Sequence, residues 1–344
     1  MKKQKIKLAF RIALFTATAA SMFFVPWILV KAWILPLPDT VQEQVNEAIG
    51  HGFDGMIVYI DQTGKPPAFY TGGWKDRDNK IPADHNALFK IASIEKLYIA
   101  VSIAKLAKQM RLSLDETVAD YFPELQGKIQ HAKTITLRML AQHRSGIPNF
   151  TSNPDYWKNE QENGDRALEF ALALPASFKP DKGYEYSNTN YLLLGKVIER
   201  VTGYSHHQYI KDEILAPLNL NNTFFSIKDV NLDDVMSGYY VGIEDDLKAN
   251  ENGMLATAED VGIFLRALND GSVFGEGEQE IYSSIYVYEH GGLVPGYQSL
   301  AKYYKDIDAV VVQLINTTDF NGYEWNLSEI IISRIAKILK NEKI

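Results

Sequence analysis

Segments with the alternating pattern of β-strands lie near both ends of this chain, and a long helical stretch separates them. Residues 55–61 and 68–72 are typical of a hairpin, and further strand-like segments follow residue 284. Residues 94–270 between them carry mostly helical patterns. Strands so far apart share a core when they join one sheet across the helices. The sequence therefore predicts an α+β fold, with an antiparallel sheet built from both chain ends, flanking helices and a mostly helical second subdomain.

Start and stop signals place the individual elements. The expected helices cover residues 41–49, 95–110, 131–142, 165–174, 190–201, 206–215, 258–268 and 326–339. The expected strands in the second half cover residues 285–288, 298–304 and 309–314. Thr257 is expected to cap the helix that starts at residue 258, and Gly203 is expected to end the helix over residues 190–201.

A Ser-x-x-Lys pattern occurs at Ser93, Ser102 and Ser299, and only the first has useful geometry. Ser93 opens a helix, and Lys96 lies three residues on, about 60° around it, so both side chains point to one side. Ser102 lies about 180° from Ser93 and is expected to bond a carbonyl one turn back. Ser299 lies in an alternating segment, where Lys302 points to the opposite face. Considered without the other motifs, Lys96 is also typical of a lysine at a helix end whose side chain extends to the protein surface.

Tyr186 is followed two residues later by Asn188, in a loop before a helix. In one interpretation the asparagine or a threonine caps the helix and the aromatics lie on the surface. In the other, the Tyr186 phenol moves protons beside a lysine, and Asn188 offers a donor and an acceptor to a substrate amide. The loop by itself does not separate the two.

His290, Gly291 and Gly292 lie between strand-like segments. Glycine lets another backbone or a ligand approach a strand closely. A nucleophile with an amine base, a phenol with a carboxamide and a glycine-rich strand edge, in this order, indicate acyl transfer through a serine ester. The site should lie where the sheet meets the helical part, beside the edge strand after His290.

The chain resembles the serine β-lactamase and penicillin-binding-protein superfamily, closest to its class C β-lactamase and D-alanyl-D-alanine carboxypeptidase/esterase branch. The resemblance runs from about residue 55 to residue 318. Besides the three motifs it rests on LFKIAS (88–93), LAQHRSGIP (140–148), YSNTNYLLLG (186–195), PLNL (217–220) and GMLATAED (253–260). The second of these is similar to the family's LLTHTSGLP turn, with Gln and Arg where Thr is usual.

The resemblance implies a β-lactamase-like fold and a role for each matching residue. Ser93 would be the nucleophile, Lys96 its base and Tyr186 the proton relay. Asn188 would bind the substrate amide, and the His290–Gly292 strand would border the substrate. The oxyanion hole would be the backbone N–H groups of Ser93 and Leu293, each donor contributing about 3 kcal/mol. Many members carry Lys-Thr-Gly where this chain has His-Gly-Gly, which puts recognition of a substrate carboxylate in doubt.

The composition agrees with a large secreted domain. The chain has 344 residues, is 46% hydrophobic and has no cysteine, which excludes disulfides, thiol catalysis and Cys-ligated zinc. No metal or cofactor is expected. His206 and His207 are adjacent, and because neighbours on a helix diverge by about 100°, a surface role is favoured over a metal site.

Residues 1–38 are expected to form an N-terminal membrane anchor and a short linker that begins at Pro36, and residues 39–344 the predicted hydrolase domain, with a helical insertion at about 94–270. A basic flank precedes the apolar run 12–30, which nearly spans a bilayer and predicts an uncleaved anchor with the domain outside the cytoplasm. A signal peptide cleaved near residues 17–19 is the alternative. The net charge is −8, and removing the six positive charges of residues 1–31 leaves −14, so nucleic acid is not an expected partner.

The predicted function is that of a membrane-anchored, extracytoplasmic serine hydrolase at the cell surface or in the periplasm. It would act through an acyl-enzyme on D-amino-acid peptides, amides or esters of the cell envelope. A β-lactamase and a non-hydrolytic penicillin-binding receptor or scaffold are the alternatives. The sequence leaves the oligomeric state open.

Overall fold

The computed structural model describes residues 2–156, 164–251 and 253–342. The strands are β1 (Gly55–Gln62), β2 (Ala68–Asp76), β3 (Ile81–Pro82), β4 (Phe89–Lys90), β5 (Thr223–Phe224), β6 (Tyr239–Tyr240), β7 (Leu255–Ala256), β8 (His290–Val294), β9 (Tyr297–Tyr304), β10 (Ala309–Ile315) and β11 (Thr317–Thr318). The main sheet has the order β3-β2-β1-β10-β9-β8 and is antiparallel throughout. Strands from both chain ends therefore meet at the β1–β10 pair, as predicted.

The helices fill the space between and around these strands. They are α1 (Lys2–Ser21), α2 (Trp27–Ile34), α3 (Val41–Gly50), α4 (Glu95–Lys108), α5 (Val118–Tyr121), α6 (Leu137–Ala141), α7 (Gly164–Leu172), α8 (Asn188–Thr202), α9 (His206–Ile210), α10 (Ala258–Asp270), α11 (Glu278–Ser283) and α12 (Glu324–Asn341). A π-helical turn, Lys211–Leu215, continues α9.

Alternation along the central strands divides the core into two layers. On β1, Ile57 and Tyr59 face the helical part of the molecule, whereas Met56, Val58 and Ile60 pack toward α3 and α12. Successive strand residues point to opposite faces, so a strand covered on both sides is apolar throughout. The sheet is thus enclosed by two helical layers, and β8 lies at its open edge beside the helical subdomain.

Helix α4 runs through the middle of the larger layer. Eleven of its residues are buried, from Lys96 to Leu106, so the helix is apolar on nearly every side. Thr257 caps α10 as expected, accepting a hydrogen bond from Asp260 N–H. The predicted α+β class is confirmed.

Two expected elements were wrong. The helix expected over 131–142 is only Leu137–Ala141, because Thr136 is its N-cap and the preceding residues form turns, with His131 at a positive φ of 68°. The strand expected over 285–288 is a turn after α11, since the N–H groups of Ile285 and Tyr286 both bond to the Tyr282 carbonyl. The segment is apolar and aromatic because Ile285 is buried in the helical core and Tyr286 and Tyr288 pack against it.

The N-terminal region has two parts. Residues Ile6–Phe24 are long and apolar enough to cross a membrane, by length and composition. Helix α2 packs against α12, with Ala32 buried in the smaller core layer. Arg334 of α12 donates hydrogen bonds to the carbonyls of Leu35 and Pro36. The segment expected to be a linker therefore contacts the folded domain.

Candidate active site

Ser93 lies in a tight 3₁₀ turn, Ala92–Ile94, that leads from β4 into α4. Ala92 before it has a φ of 50°, a left-handed conformation that costs a non-glycine residue about 1 kcal/mol or more. The turn is held from both sides, because Ile91 N–H donates to the Met254 carbonyl and Ser299 Oγ–H donates to the Ile91 carbonyl. The surrounding structure thus enforces the backbone conformation that presents Ser93.

Lys96 lies one turn into the helix and reaches back to the serine. Its Nζ donates a hydrogen bond of 3.1 Å to Ser93 Oγ, and its side chain is buried. The other two Ser-x-x-Lys matches form no such pair. Ser102 donates to the Tyr98 carbonyl, as its position on the helix predicted, and Ser299 is the residue that anchors Ile91.

Tyr186 lies directly over this pair. Lys96 Nζ is 5.2 Å from the centroid of its ring, and the ring packs against that of His143 with centroids 4.6 Å apart. The Tyr186 hydroxyl oxygen is buried and forms no hydrogen bond within the described part of the chain. A phenol aimed into the site with an unused donor and acceptor is suited to proton transfer.

His143 was part of a family-like turn in the sequence but received no role there. It adopts a φ of 57°, and its Nδ1 accepts a hydrogen bond of 3.2 Å from Ser187 N–H, in the loop that carries Tyr186. Burial and, second, the nearby Lys96 lower the pKa of His143 to about 3, so the imidazole is neutral. His143 positions the Tyr186 loop, and only its place before the Ser-Gly of the turn signals it.

Asn188 is the first residue of α8, two residues before the expected helix start, and Ser187 is the N-cap. Its backbone N–H and its side-chain Nδ2 both donate to Asn149 Oδ1, at 3.2 and 3.3 Å. This pairing turns the Asn188 side chain toward the cavity and leaves its carbonyl oxygen available to accept from a substrate N–H.

Strand β8 closes the site on the other side, and its three motif residues differ in role. A Cβ added to Gly292 would lie 2.2 Å from the Ile91 carbonyl oxygen, so this glycine lets β8 approach the nucleophile turn. A Cβ added to Gly291 would meet the tip of the Trp325 ring instead, at 2.6 Å. Leu293 follows on the strand with its side chain 39% exposed.

Both ring nitrogens of His290 form hydrogen bonds within the protein. Its Nδ1 lies 2.5 Å from the Gly291 carbonyl, which can only accept, so Nδ1 carries the proton and Nε2 accepts from Tyr286 O–H at 2.8 Å. Burial and the nearby Lys96 lower the pKa of His290 to about 4. The imidazole is therefore neutral well below its ordinary titration range.

A cavity of about 530 Å³ opens over these residues. Its lining comprises Ser93, Tyr186, Asn188, Val287, Glu289, His290, Gly291, Leu293, Leu300, Lys302, Trp325 and Glu329. Within residues 2–156, 164–251 and 253–342 no arginine lines it, and the lining cation Lys302 is paired with the Glu329 carboxylate. The structure thus gathers the three sequence motifs, separated by up to 200 residues, around one cavity.

Comparison with known proteins places the chain. The β-lactamase family model matches residues 37–284. Protein flp of Staphylococcus aureus is 31% identical over 195 residues, 55% of this chain and 39% of that protein. Penicillin-binding protein 4* of Bacillus subtilis is 30% identical over 179 residues, 50% of this chain and 38% of that protein. The matches thus span well under half the length of these curated relatives.

Solved structures show the same fold. D-amino acid amidase from Ochrobactrum anthropi SV3 has a TM-score of 0.79 at 22% identity, with 88% of this chain and 98% of that one covered. A penicillin-binding protein from Bacillus halodurans has a TM-score of 0.72 at 20% identity, covering 87% and 98%. The family model, which matches most of the chain, agrees with the antiparallel sheet and the Ser-x-x-Lys turn. This chain belongs to the β-lactamase family, within the superfamily of serine β-lactamases and penicillin-binding proteins.

Proposed function

We propose that this protein is a membrane-anchored, extracytoplasmic serine hydrolase that acts through an acyl-enzyme on D-amino-acid esters, amides or peptides of the cell envelope. The observation that carries the proposal is the 3.1 Å hydrogen bond between Lys96 Nζ and Ser93 Oγ at the floor of the cavity, with the unpaired Tyr186 hydroxyl beside it. A receptor that only binds its ligand has no need of a base on its serine.

In the proposed acylation step, Ser93 Oγ attacks the substrate carbonyl carbon, and Lys96 in its amine form takes the hydroxyl proton. The tetrahedral oxyanion is bound by the backbone N–H groups of Ser93 and Leu293. Tyr186 passes a proton to the leaving alcohol or amine as its bond to the carbonyl carbon breaks. The products are an ester on Ser93 and the free leaving group.

Deacylation uses the same groups in reverse. Tyr186, which gave its proton to the leaving group, takes a proton from a water molecule, and the oxygen of that water attacks the ester carbonyl carbon. The bond from that carbon to Ser93 Oγ then breaks, Lys96 returns its proton to Oγ, and the acid is released. Asn188 holds the acyl amide through its free carbonyl oxygen. His143 keeps the Tyr186 ring in place and touches no substrate, so it is a positioning residue.

Charge in the cavity favours neutral over carboxylate-terminated substrates. His290 is neutral and has both nitrogens occupied, and Lys302 is neutralised by Glu329. Glu289 adds a negative charge to the lining. A charge-assisted bond is worth about 1.5–3 kcal/mol, so the lack of a cationic partner costs a substrate carboxylate about ten- to a hundredfold in affinity.

The proposed anchor is the N-terminal helix, with residues 1–38 as anchor and connection and residues 39–344 as the catalytic domain. The apolar span Ile6–Phe24 and the basic residues before it support this orientation. At the end of the span and just after it, four aromatic residues are more than half exposed: Phe23, Phe24, Trp27 and Trp33. Aromatic side chains at this place are typical of a membrane interface, and a soluble cleaved form would leave most of them in water.

The test is intact-mass spectrometry of the full-length chain in detergent after incubation with a fluorophosphonate, a penicillin and D-alanyl esters and peptides. A single adduct is expected on the wild type and on Ser102→Ala, the matched serine of the second Ser-x-x-Lys, and none on Ser93→Ala. Turnover of D-alanyl esters supports the proposal, and fast turnover of penicillin would make the protein a β-lactamase. A stable penicillin adduct with no turnover of any substrate would instead indicate a binding receptor.

A further inference from the structure

A glutamate and two histidines meet at the first turn of the catalytic helix. Glu95 lies between Ser93 and Lys96 in sequence, while His206 and His207 open α9. One ring nitrogen of each histidine and one carboxylate oxygen of Glu95 all lie within 4.8 Å of one another. None of the three residues lines the substrate cavity, so the cluster is distinct from the site described above.

The separations suit two ligands of one ion better than a direct hydrogen bond. His207 Nε2 is 3.6 Å from Glu95 Oε1, which is longer than a good N–H···O bond. Two ligands of a tetrahedral zinc ion, each about 2.0–2.1 Å from the metal, lie about 3.4 Å apart. The gap between the imidazole and the carboxylate therefore matches the space that a bound cation occupies.

The second histidine is held as metal-binding histidines are held. His206 Nδ1 lies 2.7 Å from Glu199 Oε1. Because a carboxylate accepts, Nδ1 carries the proton, and the lone pair of Nε2 is left for another partner. A carboxylate on the far nitrogen fixes the tautomer and orientation of a zinc-bound imidazole in the same way.

Both rings are also fixed by packing. His207 stacks on Phe225, with centroids 4.5 Å apart and planes 14° from parallel. The His206 ring lies over Gly195 of α8, where an added Cβ would be 3.3 Å from Nε2. The two imidazoles face each other with centroids 4.0 Å apart. Ligands that are already oriented lose little entropy when they bind an ion.

We propose that Glu95, His206 and His207 form a binding site for a divalent transition-metal ion of the Zn²⁺ type. Two imidazoles and one carboxylate are an established donor set for zinc, with water in the fourth position. Imidazole ligands select such metals over Mg²⁺ or Ca²⁺, which prefer oxygen. The ion would join the first turn of α4 to α9 and so brace the segment that carries Ser93 and Lys96. The sequence favoured a surface role because adjacent helix residues diverge by about 100°, and Glu95, the third ligand, is more than 100 residues from the histidines.

The test is calorimetric titration of the metal-free, full-length chain in detergent with Zn²⁺, together with thermal denaturation. One ion per chain and a rise in melting temperature of several degrees are expected. His207→Ala should weaken binding at least tenfold, and Glu199→Gln should weaken it about ten- to a hundredfold, through the orientation of His206. His85→Ala is the matched control, because exposed His85 also lies near one carboxylate, Asp84, at 3.7 Å.

Equal Zn²⁺ affinity in the wild type and His207→Ala, or an equal loss in His85→Ala, would overturn the proposal. If a variant fails to fold, titration of the wild-type chain with Co²⁺ tests whether the metal site exists. Intense visible absorption typical of four-coordinate Co²⁺ supports the site, and its absence refutes the site. Neither measurement depends on hydrolytic activity.

Discussion

Two adjacent glycines on β8 provide the sharpest test of how the site is built. In Gly292→Ala, the new methyl group would lie 2.2 Å from the Ile91 carbonyl oxygen and 2.4 Å from Ser299 Oγ. Ordinary contact begins at 3.4 Å, so β8 and the nucleophile turn must separate by about 1 Å. That displacement moves the Leu293 N–H away from the oxyanion that we propose it binds. A misplacement of about 1 Å costs a reaction about a hundredfold in rate.

Gly291→Ala is the matched control. Its methyl group would meet the end of the Trp325 ring at 2.6 Å and the tip of Leu300 at 3.1 Å, and Trp325 is only partly buried and can turn outward. We expect Gly292→Ala to lower kcat/KM for a D-alanyl ester about a hundredfold, and Gly291→Ala by less than about tenfold. Labelling by a fluorophosphonate, measured beside the melting temperature, separates lost reactivity from lost folding. Equal losses in the two variants, or full activity in Gly292→Ala, would refute this geometry.

The other predictions concern buried titratable groups, namely His143, His290 and the pair of Lys105 with Glu278. Because the pKa of His143 is about 3 in the folded protein, only the unfolded chain binds a proton there between about pH 6.5 and 3. The free energy of unfolding should therefore be full above about pH 6.5 and fall by about 1.4 kcal/mol per pH unit as the pH drops toward 3. Urea denaturation of His143→Gln should show a shallower loss between pH 6.5 and 4.5, and an unchanged slope would contradict this. Because the pKa of His290 is about 4, the preference for neutral esters over matched carboxylates should stay constant between pH 5.5 and 8.5, whereas an ordinary histidine would narrow it below pH 6.5. His290→Lys should raise kcat/KM for the carboxylate substrate about tenfold or more, and no gain would show that another group limits its binding. Finally, Lys105 and Glu278 form a buried pair at 3.2 Å. Lys105→Met leaves the Glu278 carboxylate without its partner and should lower the free energy of unfolding by about 3–5 kcal/mol in urea denaturation. The double variant Lys105→Met with Glu278→Leu should recover most of that loss, and an equal or larger loss in the double variant would contradict this explanation.

The periodicity of helices and strands predicted the features of this protein that depend only on residues close together in sequence. Lys96 lies on the same side of its helix as Ser93 because a helix returns to one face within three or four residues. Ser102 lies on the opposite side of the helix from Ser93 for the same reason, and its hydroxyl donates to the Tyr98 carbonyl. The strands of the sheet alternate because successive side chains point to opposite faces. These relations hold within a few residues and could be predicted without the fold.

Relations across the chain depended on tertiary packing. Gly292 meets the Ile91 carbonyl 201 residues away, and a pattern of glycines does not say which backbone it admits. The turn at residues 285–288 resembled a strand because Ile285, Tyr286 and Tyr288 pack against the helical core, which gives a turn the apolar and aromatic composition of a strand. The pKa of His290 falls first because the imidazole is buried and second because Lys96 lies nearby, and no local pattern reveals either.

The sequence by itself therefore determined the α+β class, the family and the identity of the candidate nucleophile, base and proton relay. The class follows from the periodicity of segments along the whole chain, and the family and the candidate roles follow from the resemblance that several short motifs in order carry. The tertiary structure decided the neutral state of His290, the role of His143 under Tyr186, and the meeting of Glu95 with His206 and His207. These depend on desolvation and on contacts between distant segments, which exist only once the two layers have packed around the sheet.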